Sequence, residues 1–128
     1  MIIVRTQNDT LFNYAECEEL FNKHKDKLEE DGSTFDDVLK RTCFYSFYDI
    51  STGKLIGCIY YFKKGRKLYV SVFAERGHSE INFKCFAKSL TWWKGNIWAY
   101  CKQRTAKIGL IRAGFEQVSK NMYVLRRK

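Results

Sequence analysis

Three runs rich in aromatic and β-branched residues, Cys43 to Ile50, Leu55 to Phe62 and Leu68 to Ala74, are separated only by short turn-forming stretches. That pattern predicts an antiparallel meander of three strands, with turns at Ser51–Lys54 and Lys63–Lys67 and Gly65 at the centre of the second. The texture then becomes helical. Phe83, Phe86, Ala87, Leu90 and Trp93 recur at spacings of three and four, with Ser79 as the expected cap and Gly95 as the stop. Ile97 to Cys101 reads as one more buried strand. A strand, a helix and a strand in succession require a parallel crossover between Leu68–Ala74 and Ile97–Cys101. The expected class is α+β, a mixed and mostly antiparallel sheet with flanking helices.

The rest of the chain fits around this centre. Ile2, Ile3 and Val4 form a β-rich start, and Asn8 and Asp9 are expected to cap an amphipathic helix running to about Leu28 through Leu11, Phe12, Ala15, Leu20 and Phe21. Glu29 to Ser33 breaks it, and Ser33 with Asp36 resembles a capping box for a short helix through Leu39. A last helix from about Gln103 to Ala113 ends at Gly114, and short strands are expected at Phe115 to Val118 and Met122 to Arg126. No proline, Ser/Gly linker or repeat marks a boundary, so residues 1 to 128 are expected to form a single domain. A chain of this length buries enough surface to fold without staples.

Five cysteines, odd in number and with no CxxC pair, sit among apolar residues. They read as reduced core thiols of a cytoplasmic protein. The longest apolar run, Leu55 to Phe62, is far short of the roughly 20 residues a membrane helix needs, and Met1 to Val4 is too short for a signal-peptide core. His24 and His78 are far apart in sequence and no Cys/His spacing suits a metal, so no metal is expected.

Charge divides sharply along the chain. Residues 1 to 62 hold 7 Lys and Arg against 11 Asp and Glu, whereas residues 63 to 128 hold 16 against 3, giving +9 in all. The second half should gather anions: a nucleotide cofactor, a nucleic-acid backbone or an acidic protein. Lys63, Lys64, Arg66 and Lys67 crowd one turn, and Lys102, Arg104 and Lys107 decorate the start of the last helix, forming the candidate basic surface. A wide solvated exterior is the plainer reading of the same residues. Of the tryptophans that could stack on bases, Trp92 is the one expected to be exposed, since Trp93 falls on the helix's apolar stripe and Trp98 in a buried strand.

In the segment Gln103 to Arg126, Ala106, Gly114 and Phe115 occupy places of the pattern NxxAxxLYxxxGF followed by a hairpin, with Gln103 at the asparagine and Leu110 at the tyrosine. Arg76 to Ile81 maps onto Q/RxxGxG/A, with Ser79 and Ile81 at the two small positions. Together with the order of elements, these segments resemble the GNAT (GCN5-related N-acetyltransferase) superfamily, in divergent form and similar to small phage-encoded GNAT-like proteins. The resemblance implies a splayed parallel pair at the centre of the sheet, with acetyl-CoA held there. Its binding residues would be Val72, Ala74, Arg76, Gly77, His78, Ser79, Glu80, Ile81, Gln103 and Ala106. Side chains at Ser79 and Ile81 are expected to crowd the backbone's approach to a pyrophosphate, and Glu75 and Glu80 add negative charge beside it.

Two function classes follow. The first is an N-acyltransferase acting on a small-molecule or protein amine, with Glu75 or His78 as general base and Tyr100 or Tyr123 as proton donor, because Leu110 replaces the tyrosine many GNAT enzymes use as general acid. The second is a catalytically inactive module of the same fold, in host cytoplasm or virion if phage-encoded, binding nucleic acid or an acidic protein through the basic half. Leu110 and Ile81 favour the second; Gly114 and Phe115 favour the first.

Overall fold

The structure, a computed structural model, describes residues 2–28 and 32–127. Eleven elements follow in order: β1 (Ile2–Thr6), α1 (Tyr14–His24), α2 (Phe35–Arg41), β2 (Cys43–Asp49), β3 (Leu55–Lys64), β4 (Lys67–Ala74), α3 (Ser79–Leu90), β5 (Ile97–Tyr100), α4 (Arg104–Arg112), β6 (Glu116–Gln117) and β7 (Met122–Leu125). They build one sheet in the order β1-β2-β3-β4-β5-β7-β6. Every neighbouring pair is antiparallel except β4 and β5, which are parallel. The mixed sheet and the crossover therefore stand as the sequence predicts.

Both faces of the sheet are covered. α1 and α2 bury Cys17, Leu20, Phe21, Phe35 and Val38 against Phe44, Tyr48, Cys58, Tyr60 and Phe73. On the other face α3 and α4 bury Cys85, Phe86, Leu90 and Leu110 against Phe47, Ile59, Tyr61, Val70, Ile97 and Ala99. Covering on both sides is why β3 carries a nearly continuous apolar run where a half-exposed strand would alternate. The meander and the crossover decide where a ligand can enter, because β4 pairs along its length with β3 but with β5 only at Leu68–Ile97 and Tyr69–Trp98. Beyond Tyr69 the two parallel strands part.

Several local expectations are corrected. Asp9 accepts from the Thr6 N–H at 2.8 Å and Phe12 N–H donates to its carbonyl, so residues 7–11 form turns and not helix. α1 begins later, capped by Asn13, whose Oδ1 accepts from Glu16 N–H at 3.1 Å, and ends at His24, short of Leu28. Leu11 consequently stays exposed. The capping box of α2 lies one residue on from the expected pair, between Thr34 and Asp37. α3 stops at Leu90, so Trp93 packs on Tyr61 from a turn, with ring centroids 5.0 Å apart. Cys43 is exposed at the start of β2, so the thiols are not all core residues; Cys17, Cys58 and Cys85 are buried and Cys101 is partly so. Of the expected break at Glu29–Ser33, residues 29–31 lie outside the described residues, as does the terminal Lys128.

Candidate functional site

Where β4 and β5 separate, a cleft of about 560 Å³ opens between their ends and the helices α3 and α4. β4 contributes Val70–Ala74 and β5 contributes Ala99 and Tyr100, all beyond the last β4–β5 pair. The edges of these segments that face each other therefore have backbone groups with no strand partner, available to a ligand. Above them stand the first turn of α3, through Ser79, Glu80, Asn82 and Phe83, and α4 from Gln103 to Arg112.

The helix termini at this cleft differ from those elsewhere. α1 and α2 are capped by the side chains of Asn13 and Thr34, whereas the cap positions of α3 and α4 are His78 and Gln103, neither of which makes a side-chain capping bond. The first intrahelical donors to the cap carbonyls are Asn82 N–H and Lys107 N–H. Residues 79–81 and 104–106 thus offer N–H groups unused by the helices, at the positive ends of the helix dipoles. Ser79, expected as a cap, is instead the first helical residue.

Two further features shape the wall. Gly57 on β3 lets α3 approach closely: a Cβ there would stand 2.7 Å from Asn82 Oδ1 and 3.2 Å from the Phe73 carbonyl. Asn82 Oδ1 is buried without a hydrogen-bond partner. Across the cleft, Arg112 at the end of α4 donates to both carboxylate oxygens of Glu80, at 2.8 and 3.3 Å, while its guanidinium lies 4.0 Å from the centre of the Phe83 ring. The hydrogen-bonded Arg112 holds the Glu80 carboxyl below its ordinary pKa. Glu80 therefore brings a charge that the fold already pairs.

Of the residues singled out in the sequence, Val72, Ala74, Ser79, Glu80, Tyr100, Gln103 and Ala106 line this cleft. Ile81 does not; it packs against the core formed with α3 and α4, so its side chain leaves the approach to the helix terminus uncrowded. Arg76, Gly77 and His78 form the link into α3 without lining the cleft, with Gly77 at a φ of +90° that favours glycine. Glu75 is exposed and stands 3.7 Å from the Lys23 ammonium. Tyr123 is 2% exposed and lies in the core, away from the cleft lining.

The basic residues do not act as one set. Lys63 and Lys64 end β3, and Lys67 lies over the Trp98 ring at 4.1 Å. Lys107 is turned onto the Lys120 carbonyl and Asn121 Oδ1 at 3.3 and 3.0 Å, while Lys102 and Arg104 precede and open α4. Trp92 is exposed as expected, yet one side is taken by Tyr45, 4.9 Å away between ring centres.

Sequence reasoning gave His24, Asn82, Phe83 and Arg112 no place in the cleft that they line. His24 closes the cleft from the end of α1, beside Phe73, and burial followed by the Lys27 charge lowers its pKa. A single histidine at the end of an amphipathic helix carries no signal of that position. Among the described residues no group of three or more His, Cys, Asp or Glu could hold a metal ion, and no helix is long and apolar enough to cross a membrane.

No protein-family model matches the chain, and no curated protein does. Solved structures do. The chain is similar to a GNAT-family acetyltransferase from Bacillus anthracis, with a TM-score of 0.71 at 11% identity over 98% of this chain and 94% of that one. The ribosomal-protein-S5-alanine acetyltransferase of Vibrio fischeri gives 0.69 at 12% identity, covering 98% and 92%. A GNAT-family acetyltransferase from Brucella melitensis, solved in complex with acetyl-CoA, gives 0.69 at 15% identity, covering 100% and 89%.

Proposed function

We propose, from the GNAT fold this chain has, that it is an N-acetyltransferase using acetyl-CoA as donor and an amine as acceptor. The observation that carries the reading is the opened parallel pair flanked by two helices that lack side-chain caps. A pyrophosphate suits such termini, because free N–H groups and the dipole both favour an anion.

In this reading the N–H groups of residues 79–81 hold the phosphates, with Arg76, just before α3, adding positive charge. The side chain of Ile81 has no part in it. When bound, acetyl-CoA supplies an acetyl thioester, from which the acetyl group passes to the amine nitrogen as the thiol departs. The free edges of β4 and β5 orient the acetyl carbonyl and supply donors for the charge that develops on its oxygen.

His24, kept neutral by burial, accepts the proton of the amine at a ring nitrogen. Tyr100, on the cleft wall and 44% exposed, donates a proton from its hydroxyl to the leaving sulfur. Leu110 is 7% exposed and its side chain has no proton to give. That residue also favours a second reading, the same fold kept as a binding module without turnover.

Thermal unfolding with acetyl-CoA tests the first requirement. Ligand at about 100 times its dissociation constant should add about 2.7 kcal/mol of stability. An unchanged Tm at millimolar acetyl-CoA sinks the proposal. Binding without consumption of the thioester by any amine leaves the module reading.

A further inference from the structure

A second cleft, of about 520 Å³, shares Leu28, Val70, Ser71 and Tyr100 with the first and so meets it where β4 and β5 part. Its own walls are Arg41 from the end of α2, Phe62, Lys63 and Lys64 from the end of β3, Tyr69 from β4 and Met122 from β7. Phe62 and Tyr69 are stacked with centroids 5.5 Å apart, and the Arg41 guanidinium lies 5.9 Å from the Phe62 ring centre. The described lining holds three cationic side chains and no carboxylate. Lys63 and Lys64 form no ion pair with any described residue.

Resting on the acetyltransferase reading, we propose that the acceptor enters through this second cleft and is an amine bearing an anionic group, a carboxylate or a phosphate, bound by Lys63 and Lys64. Two clefts meeting at the strand separation give donor and acceptor opposite entrances, so the amine reaches the acetyl group without crossing the pyrophosphate site. The stacked Phe62 and Tyr69 offer a flat apolar floor for the part of the acceptor between amine and anion. Lys63 and Lys64 bring positive charge to the lining, which favours an anionic acceptor and disfavours polyamines.

The discriminating measurement is acetylation by the full chain of four acceptors: three tripeptides amidated at the C terminus, beginning Ala-Glu, Ala-phosphoserine and Ala-Gln, and spermidine. At least one acidic peptide should exceed the Ala-Gln peptide in kcat/KM by about tenfold or more, the usual worth of a charge-assisted contact. Comparison of the two acidic peptides distinguishes carboxylate from phosphate. The double variant Lys63→Ala, Lys64→Ala should lose that preference through KM, keeping its kcat for Ala-Gln and its acetyl-CoA affinity. Equal rates on acidic and neutral peptides, or a preference for spermidine, overturn the inference while acetyl-CoA binding still supports the enzyme reading. Failure to bind acetyl-CoA at all removes both.

Discussion

Burial and the neighbouring Lys27 ammonium hold the His24 imidazole below the ordinary histidine pKa of about 6.5, with Glu75 opposing them. In the unfolded chain His24 takes up a proton at higher pH than in the folded one. Its contribution to stability is therefore complete above about pH 6.5 and is lost as pH falls through the folded value. The same shift keeps the imidazole neutral, and able to accept a proton, at lower pH than an exposed histidine. If His24 is the base, kcat/KM should fall on the acid side with an apparent pKa below about 6.5, and His24→Gln should abolish that limb along with most of the rate. An unchanged acid limb in His24→Gln would remove His24 from the mechanism. Tyr61, buried beneath α3 and hydrogen-bonded to Ser89 Oγ at 2.6 Å, has its pKa raised to about 12 by burial, so it takes no part in that profile.

At the scale of elements, α3 carries both a phosphate-binding opportunity and a competitor for it. Its unused N–H groups attract an anion, while Glu80 in its first turn already satisfies Arg112 and projects negative charge over the same turn. Glu80→Gln removes the competitor and releases Arg112, so acetyl-CoA should bind about two- to fivefold tighter, the effect of one charge at a helix terminus. Weaker binding would mean that Glu80 positions Arg112 for the ligand. Ile81→Gly is the matched control. Because Ile81 packs on the core, that change should lower stability by about 1 kcal/mol or more and leave acetyl-CoA affinity as it was. Tighter binding in Ile81→Gly would restore the crowding that the sequence led one to expect.

Over the whole molecule, the net charge of +9 draws in anions of every kind, and the structure divides the cations that carry it. Lys67 is spent on Trp98, Lys107 on Lys120 and Asn121, and Arg112 on Glu80. DNA association by such dispersed charges should be weak and disappear between about 50 and 200 mM salt, whereas acetyl-CoA, if held by backbone donors as proposed, should stay bound. DNA affinity that persisted undiminished across that range would require an organised nucleic-acid surface in place of this one. Titration of both ligands at the two salt concentrations separates the cases.

Order, type and pairing of the central elements are legible in the sequence because they rest on local chemistry. The runs Leu55–Phe62 and Leu68–Ala74 are strands by composition, Gly65 makes the turn between them, and a helix inserted before Ile97 forces the parallel pair. Helix starts are less legible, since Asn8, Asp9, Asn13, Ser33 and Thr34 all have capping side chains and packing selects among them. Part of the cleft lining is also legible, through Val72, Ala74, Ser79, Glu80, Tyr100, Gln103 and Ala106. The remainder came only with the tertiary structure: His24 brought against β4, Arg112 laid across to Glu80, Ile81 turned into the core, and two clefts meeting at Val70 and Tyr100. Periodicity and turn chemistry act over a few residues. Side chains 30 to 80 positions apart converge only when two helices and a splayed strand pair settle on a shared core, and no short stretch of sequence records that.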